Sequence, residues 1–270
     1  MPIICDDNVY ALSLMPDGCI DLTVTSPPYD DLRTYGGDEW NFTALVPQLY
    51  RVTKQGGVVV WVVGDQTRNG SETGSSFRQA IAFIDAGFNL HDTMIYAKQN
   101  PIPQNHNRYE QIFEYMFVFS KGKPKTFNPI RIGTKNAGTA FDWGGRTFLD
   151  DKACRRNKGG RGEDIHVVGD TKIKGNIWYY TVGGGKTGHP AVFPDALALD
   201  HILSWSNKGD TVLDPFCGSG TTCAMAKAVN REYIGIDINP DYCIMAERRC
   251  GGYIELPKEE ITQDEDWTLF

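Results

Sequence analysis

Two segments of the sequence, one near each end, carry residue types that could build a chemical site. The first is Thr25-Ser26-Pro27-Pro28-Tyr29. Its two prolines hold the backbone extended and lack an N–H, which leaves carbonyl groups that can accept hydrogen bonds from an amine. The tyrosine that follows offers a flat face for stacking. The segment therefore suits recognition of a planar amine, although a rigid turn with a packed tyrosine also fits it.

The second segment is Asp214-Pro215-Phe216-Cys217-Gly218-Ser219-Gly220-Thr221-Thr222. It follows a predicted strand and opens a predicted helix, and its glycines let a ligand approach the backbone closely. Its spacing matches neither G-x-G-x-x-G nor a P-loop, so a dinucleotide or ATP fits poorly. Asp237 ends the next predicted strand, where a carboxylate can accept hydrogen bonds from ribose hydroxyls. This combination favours a ribose-bearing ligand over a purely structural turn.

The elements around these segments alternate between strands and helices. Strand composition marks residues 20–24, 58–63, 90–97, 113–120, 177–182, 211–213 and 233–237, and helical spacing marks residues 40–52, 75–85, 191–207, 221–229 and 240–249. Gly56-Gly57 is expected to end the first helix, and Phe77, Ile81 and Ile84 share one face of the second. The order predicts an α/β fold with a doubly wound, mostly parallel sheet. Both chemical segments would then follow carboxyl ends of strands and face one cleft.

Length and composition restrict the class of protein. The chain has 270 residues, of which 41% are hydrophobic and 23% charged, and these values exclude a fibrous or mainly disordered protein. No apolar run approaches the roughly 18 residues of a membrane span, and the first residues do not resemble a signal peptide. We therefore expect a cytoplasmic protein that does not contact a membrane. Seven cysteines without a C-x-x-C pair predict reduced thiols and no metal site.

Charge is distributed unevenly along the chain. The net charge is −7, but residues 121–186 contain 14 Lys or Arg and 6 Asp or Glu, so this segment carries +8 and the remainder −15. The segment is rich in glycine, has weak periodicity and is too long for an ordinary connection. A basic segment within an acidic chain indicates local contact with a polyanion, although a solvated surface loop would show the same composition.

Together, the two segments resemble the motifs of the amino-directed DNA methyltransferases that use S-adenosylmethionine. Residues 26–29 resemble the catalytic motif of that family, and residues 214–222 resemble its cofactor motif. Because the catalytic motif comes first, the order matches the permuted β group. Residues 52–57 and 186–194 also resemble family segments. The resemblance implies a Rossmann-like methyltransferase sheet, and the position of the insert suggests a loop-rich target recognition region.

The resemblance also implies a division of the chain and a role for individual residues. It assigns residues 1–120 to a catalytic half, 121–186 to the basic insert, 187–254 to a cofactor-binding half and 255–270 to an acidic tail. The implied catalytic residues are Ser26, Pro27, Pro28 and Tyr29. The implied cofactor-binding residues are Asp6, Asp7, Asp30, Phe193, Pro194, Asp214, Pro215, Phe216, Gly218, Ser219, Gly220, Thr221, Thr222 and Asp237, with Asp6 and Asp7 as alternatives for one contact. The candidate DNA contacts, mostly to phosphate, are Arg131, Arg146, Arg155, Arg156, Lys158 and Arg161.

The implied reaction transfers a methyl group from S-adenosylmethionine to the exocyclic amine of a base flipped out of double-stranded DNA. Within the family, serine at position 26 favours cytosine N4, and adenine N6 is the alternative. Less favoured alternatives are an RNA methyltransferase, a protein-glutamine methyltransferase and a DNA-binding module without turnover. The sequence leaves open the recognition site, the oligomeric state and whether a restriction enzyme accompanies the chain in a restriction-modification system.

Overall fold

The structure is a computed structural model that describes residues 3–28, 41–100, 107–142, 165–181, 194–252, 254 and 256–257. Its helices and strands, in chain order, are β1 (Ile3–Cys5), α1 (Asn8–Ser13), β2 (Ile20–Thr25), α2 (Phe42–Val52), β3 (Thr53–Val63), β4 (Thr67–Arg68), β5 (Ser71–Glu72), α3 (Ser75–Asp85), β6 (Asn89–Lys98), β7 (Phe113–Ser120), β8 (Arg131–Gly133), β9 (Ala140–Asp142), β10 (Ile165–Val167), β11 (Thr171–Ile173), β12 (Ile177–Tyr180), α4 (Asp195–Trp205), β13 (Thr211–Asp214), α5 (Thr221–Ala228), β14 (Glu232–Asp237) and α6 (Pro240–Gly251). The chain divides into two compact units, one formed by Met1–Asn128 with Asn176–Phe270 and the other by Pro129–Gly175.

The larger unit contains an eight-stranded sheet in the order β1-β14-β13-β2-β3-β7-β6-β12. Neighbouring strands are parallel throughout, except that β7 runs antiparallel to both β3 and β6. The helices form two groups, because α2 packs on α1 and α3, whereas α5 packs on α4 and α6. The predicted doubly wound, mostly parallel α/β fold is confirmed. Strand β1 and helix α1 were not predicted from the sequence.

The centre of the sheet is apolar because its strands are covered on both faces. Val58–Val63 of β3 is fully buried, as expected for a central strand that is covered on both faces. Trp61 lies against Phe83 of α3 with ring centroids 5.0 Å apart, and Phe83 stacks on Phe119 of β7 at 4.4 Å. These aromatic contacts join β3 and β7 to the helix α3 that covers them.

One predicted boundary is wrong. Gly56-Gly57 does not end α2, because the helix stops at Val52 and both glycines lie inside β3. Gly56 has φ +81°, a conformation that glycine adopts at little cost, and the pairing of β3 with β2 shifts register in this region. The glycines therefore allow an irregularity within a strand.

The smaller unit consists of two antiparallel strand pairs, β8 with β11 and β9 with β10. It falls within the basic segment, whereas β12, also inside residues 121–186, pairs with β6 in the large sheet. The roles assigned to the divisions at 121 and 186 stay predictions. Within the described ranges, no helix combines the length and apolar character needed to cross a membrane.

Candidate active site

The two chemical segments follow neighbouring parallel strands and leave the sheet at the same edge. Thr25 ends β2 and Asp214 ends β13, and these strands pair directly. The Thr25 hydroxyl donates a hydrogen bond of 2.6 Å to Asp214 Oδ1. Ser26 directly follows β2, and Pro215 directly follows β13. Segments almost two hundred residues apart in sequence therefore start side by side, as the cleft prediction requires.

Asp214 is the buried junction between the segments. Its side chain is almost fully enclosed and also accepts a hydrogen bond of 3.1 Å from the Phe216 backbone N–H. Burial raises the pKa of Asp214 to about 6, although the hydrogen bonds from Thr25 and Phe216 act in the opposite direction. The Thr222 hydroxyl ties the second segment to strand β2 by donating to the Val24 carbonyl at 3.1 Å.

The glycine turn before α5 brings this helix against α6. Gly218 has φ +49° and Gly220 φ +80°, which favours glycine at both positions. The Gly220 N–H donates to the Cys217 carbonyl at 2.7 Å. A Cβ atom at Gly220 would lie 2.9 Å from Ala246 Cα in α6, so close packing as well as conformation requires glycine here.

Asp237 stands at the end of β14, next to this turn. Its Oδ2 accepts a hydrogen bond of 2.8 Å from Gly218 N–H, and its Oδ1 accepts one of 2.9 Å from Asn239 N–H. The Asp237 carbonyl accepts from the N–H of Asp6, at the end of the adjacent strand β1, at 3.1 Å. Three strand ends of this edge thus present Asp237, Asp6 and the glycine turn together.

The structure distinguishes the environments of Asp6 and Asp7. Both are exposed, but the Asp7 carboxylate caps α1 by accepting from Tyr10 N–H at 2.8 Å. The Asp6 carboxylate accepts from Asp7 N–H at 2.8 Å and follows the strand that pairs with β14. Position therefore favours Asp6 as the ligand contact and a structural role for Asp7.

Several residues that support the site were missed by the sequence analysis. Asn8 Nδ2 donates to the Pro215 carbonyl at 3.2 Å, and no motif marks this contact. The guanidinium of Arg249 donates to both carboxylate oxygens of Asp195, at 2.6 and 2.7 Å. It also donates to Thr221 Oγ1 at 2.9 Å. Because Asp195 directly follows Pro194, this pair fixes α4 to the start of α5 and the end of α6.

Asp65 anchors the next strand end along the same edge. It follows β3 by two residues and accepts hydrogen bonds from Ser76 N–H at 3.0 Å, Ser76 Oγ at 2.6 Å and Ser75 Oγ at 3.0 Å. Burial alone would raise the pKa of Asp65, but these hydrogen bonds more than offset it, so the pKa lies below its ordinary value. The start of α3 is therefore tied to the end of β3.

The cysteine within the glycine segment is a neutral thiol. A hydrogen bond with Cys223 and burial together raise the pKa of Cys217, which disfavours the nucleophilic thiolate. Six cysteines of the described chain, Cys5, Cys19, Cys217, Cys223, Cys243 and Cys250, are free thiols. The arrangement therefore offers hydrogen-bond acceptors at strand ends and no cysteine nucleophile in this turn.

Some of the remaining predicted residues lie within the described ranges, and the others lie outside them. Pro27 is buried, Ser26, Pro28 and Pro194 are half-buried, and Pro215 and Ser219 are buried within the glycine segment. Arg131 is exposed, and its guanidinium donates to Thr171 Oγ1 at 2.9 Å and to the Thr171 carbonyl at 3.1 Å. The residues that lie outside the described ranges are Tyr29, Asp30, Phe193, Arg146, Arg155, Arg156, Lys158 and Arg161.

Comparisons with known proteins identify relatives across most of the chain. The DNA methylase family of N6 and N4 methyltransferases matches residues 20–248. The orphan methyltransferase M.BamHII of Bacillus amyloliquefaciens is 52% identical over 252 residues, which cover 90% of this chain and 92% of that protein. The type II methyltransferase M.SmaI of Serratia marcescens is 27% identical over 289 residues, which cover 92% of this chain and 89% of that protein.

Solved structures share the fold. The PvuII DNA methyltransferase, named cytosine-N4-specific, superposes with a TM-score of 0.67 and 20% identity, covering 92% of this chain and 85% of that one. M1.HpyAVI in complex with S-adenosylmethionine superposes with a TM-score of 0.57 and 22% identity, covering 92% of this chain and 98% of that one.

Proposed function

The chain belongs to the N6 and N4 family of DNA methylases, and from this premise we propose that it methylates the N4 amine of cytosine in double-stranded DNA. Enzymes of this family take the methyl group from S-adenosylmethionine, as the sequence predicts for this chain. Family membership favours DNA over RNA or protein as the substrate. The choice of cytosine depends on Ser26 as the first residue of the Ser-Pro-Pro-Tyr motif.

The carboxyl edge of the sheet fits a ligand that contains a ribose. When bound, S-adenosylmethionine supplies an electrophilic methyl group on a positively charged sulfur. A carboxylate can accept about four hydrogen bonds, so ribose hydroxyls can add to the two that Asp237 receives from Gly218 and Asn239. Asp6 extends this row of acceptors on the neighbouring strand. Gly218 and Gly220 leave no side chain between the ligand and the backbone.

Ser26 and Pro27 act on the amine. The amine is a poor nucleophile because its lone pair is delocalised into the base. Hydrogen bonds from its two hydrogens to Ser26 Oγ and the Pro27 carbonyl draw the nitrogen toward tetrahedral geometry and release the lone pair. The same acceptors stabilise the positive charge that develops on nitrogen in the transition state. Tyr29 stacks on the flipped base.

The observation that carries the proposal is the hydrogen bond of 2.6 Å between Thr25 and Asp214. In-line transfer requires that the amine and the methyl donor are held against each other. The bond joins the last residue before the catalytic motif to the first residue of the cofactor motif. It therefore supports placing both reactants at one point of the sheet edge.

Nucleoside analysis of methylated DNA tests the proposal. We would express the full chain in a host whose DNA lacks N4-methylcytosine and N6-methyladenine, digest plasmid DNA to nucleosides and identify the products by mass spectrometry. N4-methyldeoxycytidine is the expected product. N6-methyldeoxyadenosine would overturn the cytosine assignment. Binding of DNA and S-adenosylmethionine without any methylated nucleoside would overturn the catalytic proposal as well.

Substitution of the motif tests the roles of its residues. Ser26→Ala removes one amine acceptor and Tyr29→Ala removes the stacking face, so each should reduce methyl transfer by at least about tenfold. Binding of S-adenosylmethionine, measured by calorimetry, should persist in both variants. Ser13→Ala removes an exposed hydroxyl at the end of α1 and should leave turnover unchanged. Wild-type turnover in both motif variants would contradict the assignment.

A further inference from the structure

Helix α3 turns its apolar side outward. Phe77, Ile81 and Ile84 are 51%, 57% and 44% exposed, although they form the apolar stripe by which the sequence predicts this helix. The side that packs on the sheet contains Ser75, Ser76, Gln79, Ala80 and Phe83. An amphipathic helix normally buries its apolar stripe, so the arrangement of α3 is inverted.

The orientation of α3 is fixed by specific polar contacts. Ser75 and Ser76 bind the Asp65 carboxylate at its first turn. In the middle of the helix, Gln79 Oε1 accepts a hydrogen bond of 2.8 Å from the indole of Trp61. Rotating the helix to bury its apolar stripe would break these bonds and leave buried polar groups unpaired, which is costly. The outward stripe is therefore a feature of the fold.

The apolar stripe continues onto the first residues of strand β7. Phe77 contacts Tyr115 of β7 edge to face with ring centroids 5.3 Å apart, and Tyr115 contacts Phe113 at the same distance. Phe113 and Tyr115 are themselves only half-buried. A contiguous exposed patch of this kind marks an interaction surface more often than single exposed residues do.

We propose that this surface binds the same surface of a second copy of the chain, with the two α3 helices antiparallel. A two-fold axis near Ile81 would place the two apolar stripes against each other. Arg78 and Asp85 are both exposed and lie seven residues apart, so they project from the same side of the helix. The antiparallel arrangement brings Arg78 of one copy opposite Asp85 of the second copy, at both ends of the contact. The surface is therefore complementary to itself in charge as well as in apolarity.

Sedimentation equilibrium of the full chain over a wide range of concentration tests the proposal. We expect a species of twice the 30.1 kDa chain mass, and Ile81→Glu should raise its dissociation constant at least about tenfold by placing charge in the apolar centre. Ile244→Glu, at an isoleucine of α6 that is 44% exposed, should leave the constant unchanged. A wild-type chain that remains monomeric, or an Ile81→Glu chain that associates like wild type, would overturn the proposal.

A charge swap tests the identity of the occupant and its direction. Arg78→Asp and Asp85→Arg should each weaken association because each places like charges opposite one another. The double variant should restore it, since the two charges are then exchanged in both copies. This rescue is specific to an antiparallel second copy. Failure of the double variant to recover, when circular dichroism shows wild-type folding of all three variants, would overturn the antiparallel pairing.

Discussion

At the residue scale, the site depends on the buried carboxylate of Asp214, whose hydrogen-bond donors among the described residues are all uncharged. Asp214 accepts from Thr25 and Phe216, so its oxygen is needed as an acceptor, whereas its charge is disfavoured by burial. With its pKa raised to about 6, the folded chain holds this proton more tightly than the unfolded chain does. The junction between the two motifs is therefore sensitive to pH.

Replacing Asp214 with asparagine should remove this sensitivity while retaining an oxygen acceptor. Because the folded pKa is raised, the stability that the protonated group contributes is present below its ordinary value of 3.8 and is lost as the pH rises to about 6. As the pH rises from 3.8 to about 6, the free energy of unfolding of Asp214→Asn should therefore increase by about 3 kcal/mol relative to that of wild type. Chemical unfolding at a series of pH values measures the difference. The exposed Asp241→Asn variant serves as a control, and parallel curves for wild type and Asp214→Asn would contradict the argument.

The motif residues could be predicted from sequence, but their partners could not. Ser26, Asp214 and Asp237 stand in short patterns whose chemistry is visible without a structure. The bond from Thr25 to Asp214 and the contact of Asn8 with Pro215 join residues about two hundred positions apart. Such pairs are set by strand order in the sheet, which local spacing does not encode.

At the element scale, hydrophobic periodicity predicts where most helices and strands lie. It does not predict which face of a helix is buried when tertiary contacts set the orientation of that helix. The alternation of strands and helices is confirmed, but β1 and α1 are too short to leave a clear pattern. Helix α3 is correctly placed, yet its apolar stripe is exposed. Its orientation is set by Asp65 and Trp61, residues outside the helix. Tertiary contacts thus decide what periodicity alone cannot.

The turn that opens α5 provides a test at this scale. Gly220→Ala places a Cβ in the left-handed region and 2.9 Å from the backbone of α6, so α5 and α6 must separate. Gly209→Ala has the same conformational cost at φ +84° but meets nothing within 4 Å. We expect Gly209→Ala to cost about 1–2 kcal/mol of unfolding free energy and Gly220→Ala to cost clearly more and to weaken S-adenosylmethionine binding. Thermal unfolding and calorimetry measure both effects, and equal costs would contradict close packing at Gly220.

At the scale of the whole molecule, an acidic chain must approach an acidic polymer. Residues 121–186 carry +8 against −15 for the remainder, so we expect the attraction to DNA to come from this segment. The smaller compact unit, Pro129–Gly175, falls within it. Each phosphate that a cationic side chain neutralises releases counterions, so binding of this kind weakens steeply with salt.

Removing charge from this segment should therefore flatten the salt dependence of DNA binding. For Arg155→Gln combined with Arg156→Gln, we expect weaker binding at low salt and a logarithmic salt slope reduced by about 0.9 for each phosphate that the variant no longer neutralises. Lys208→Gln combined with Arg248→Gln removes the same charge from exposed positions outside the segment, so it separates local binding from the change in net charge. Fluorescence anisotropy with a DNA duplex at several salt concentrations measures both slopes. If the two double variants shift the slope equally, the basic segment acts only through total charge, and its assignment as the DNA-contacting region fails.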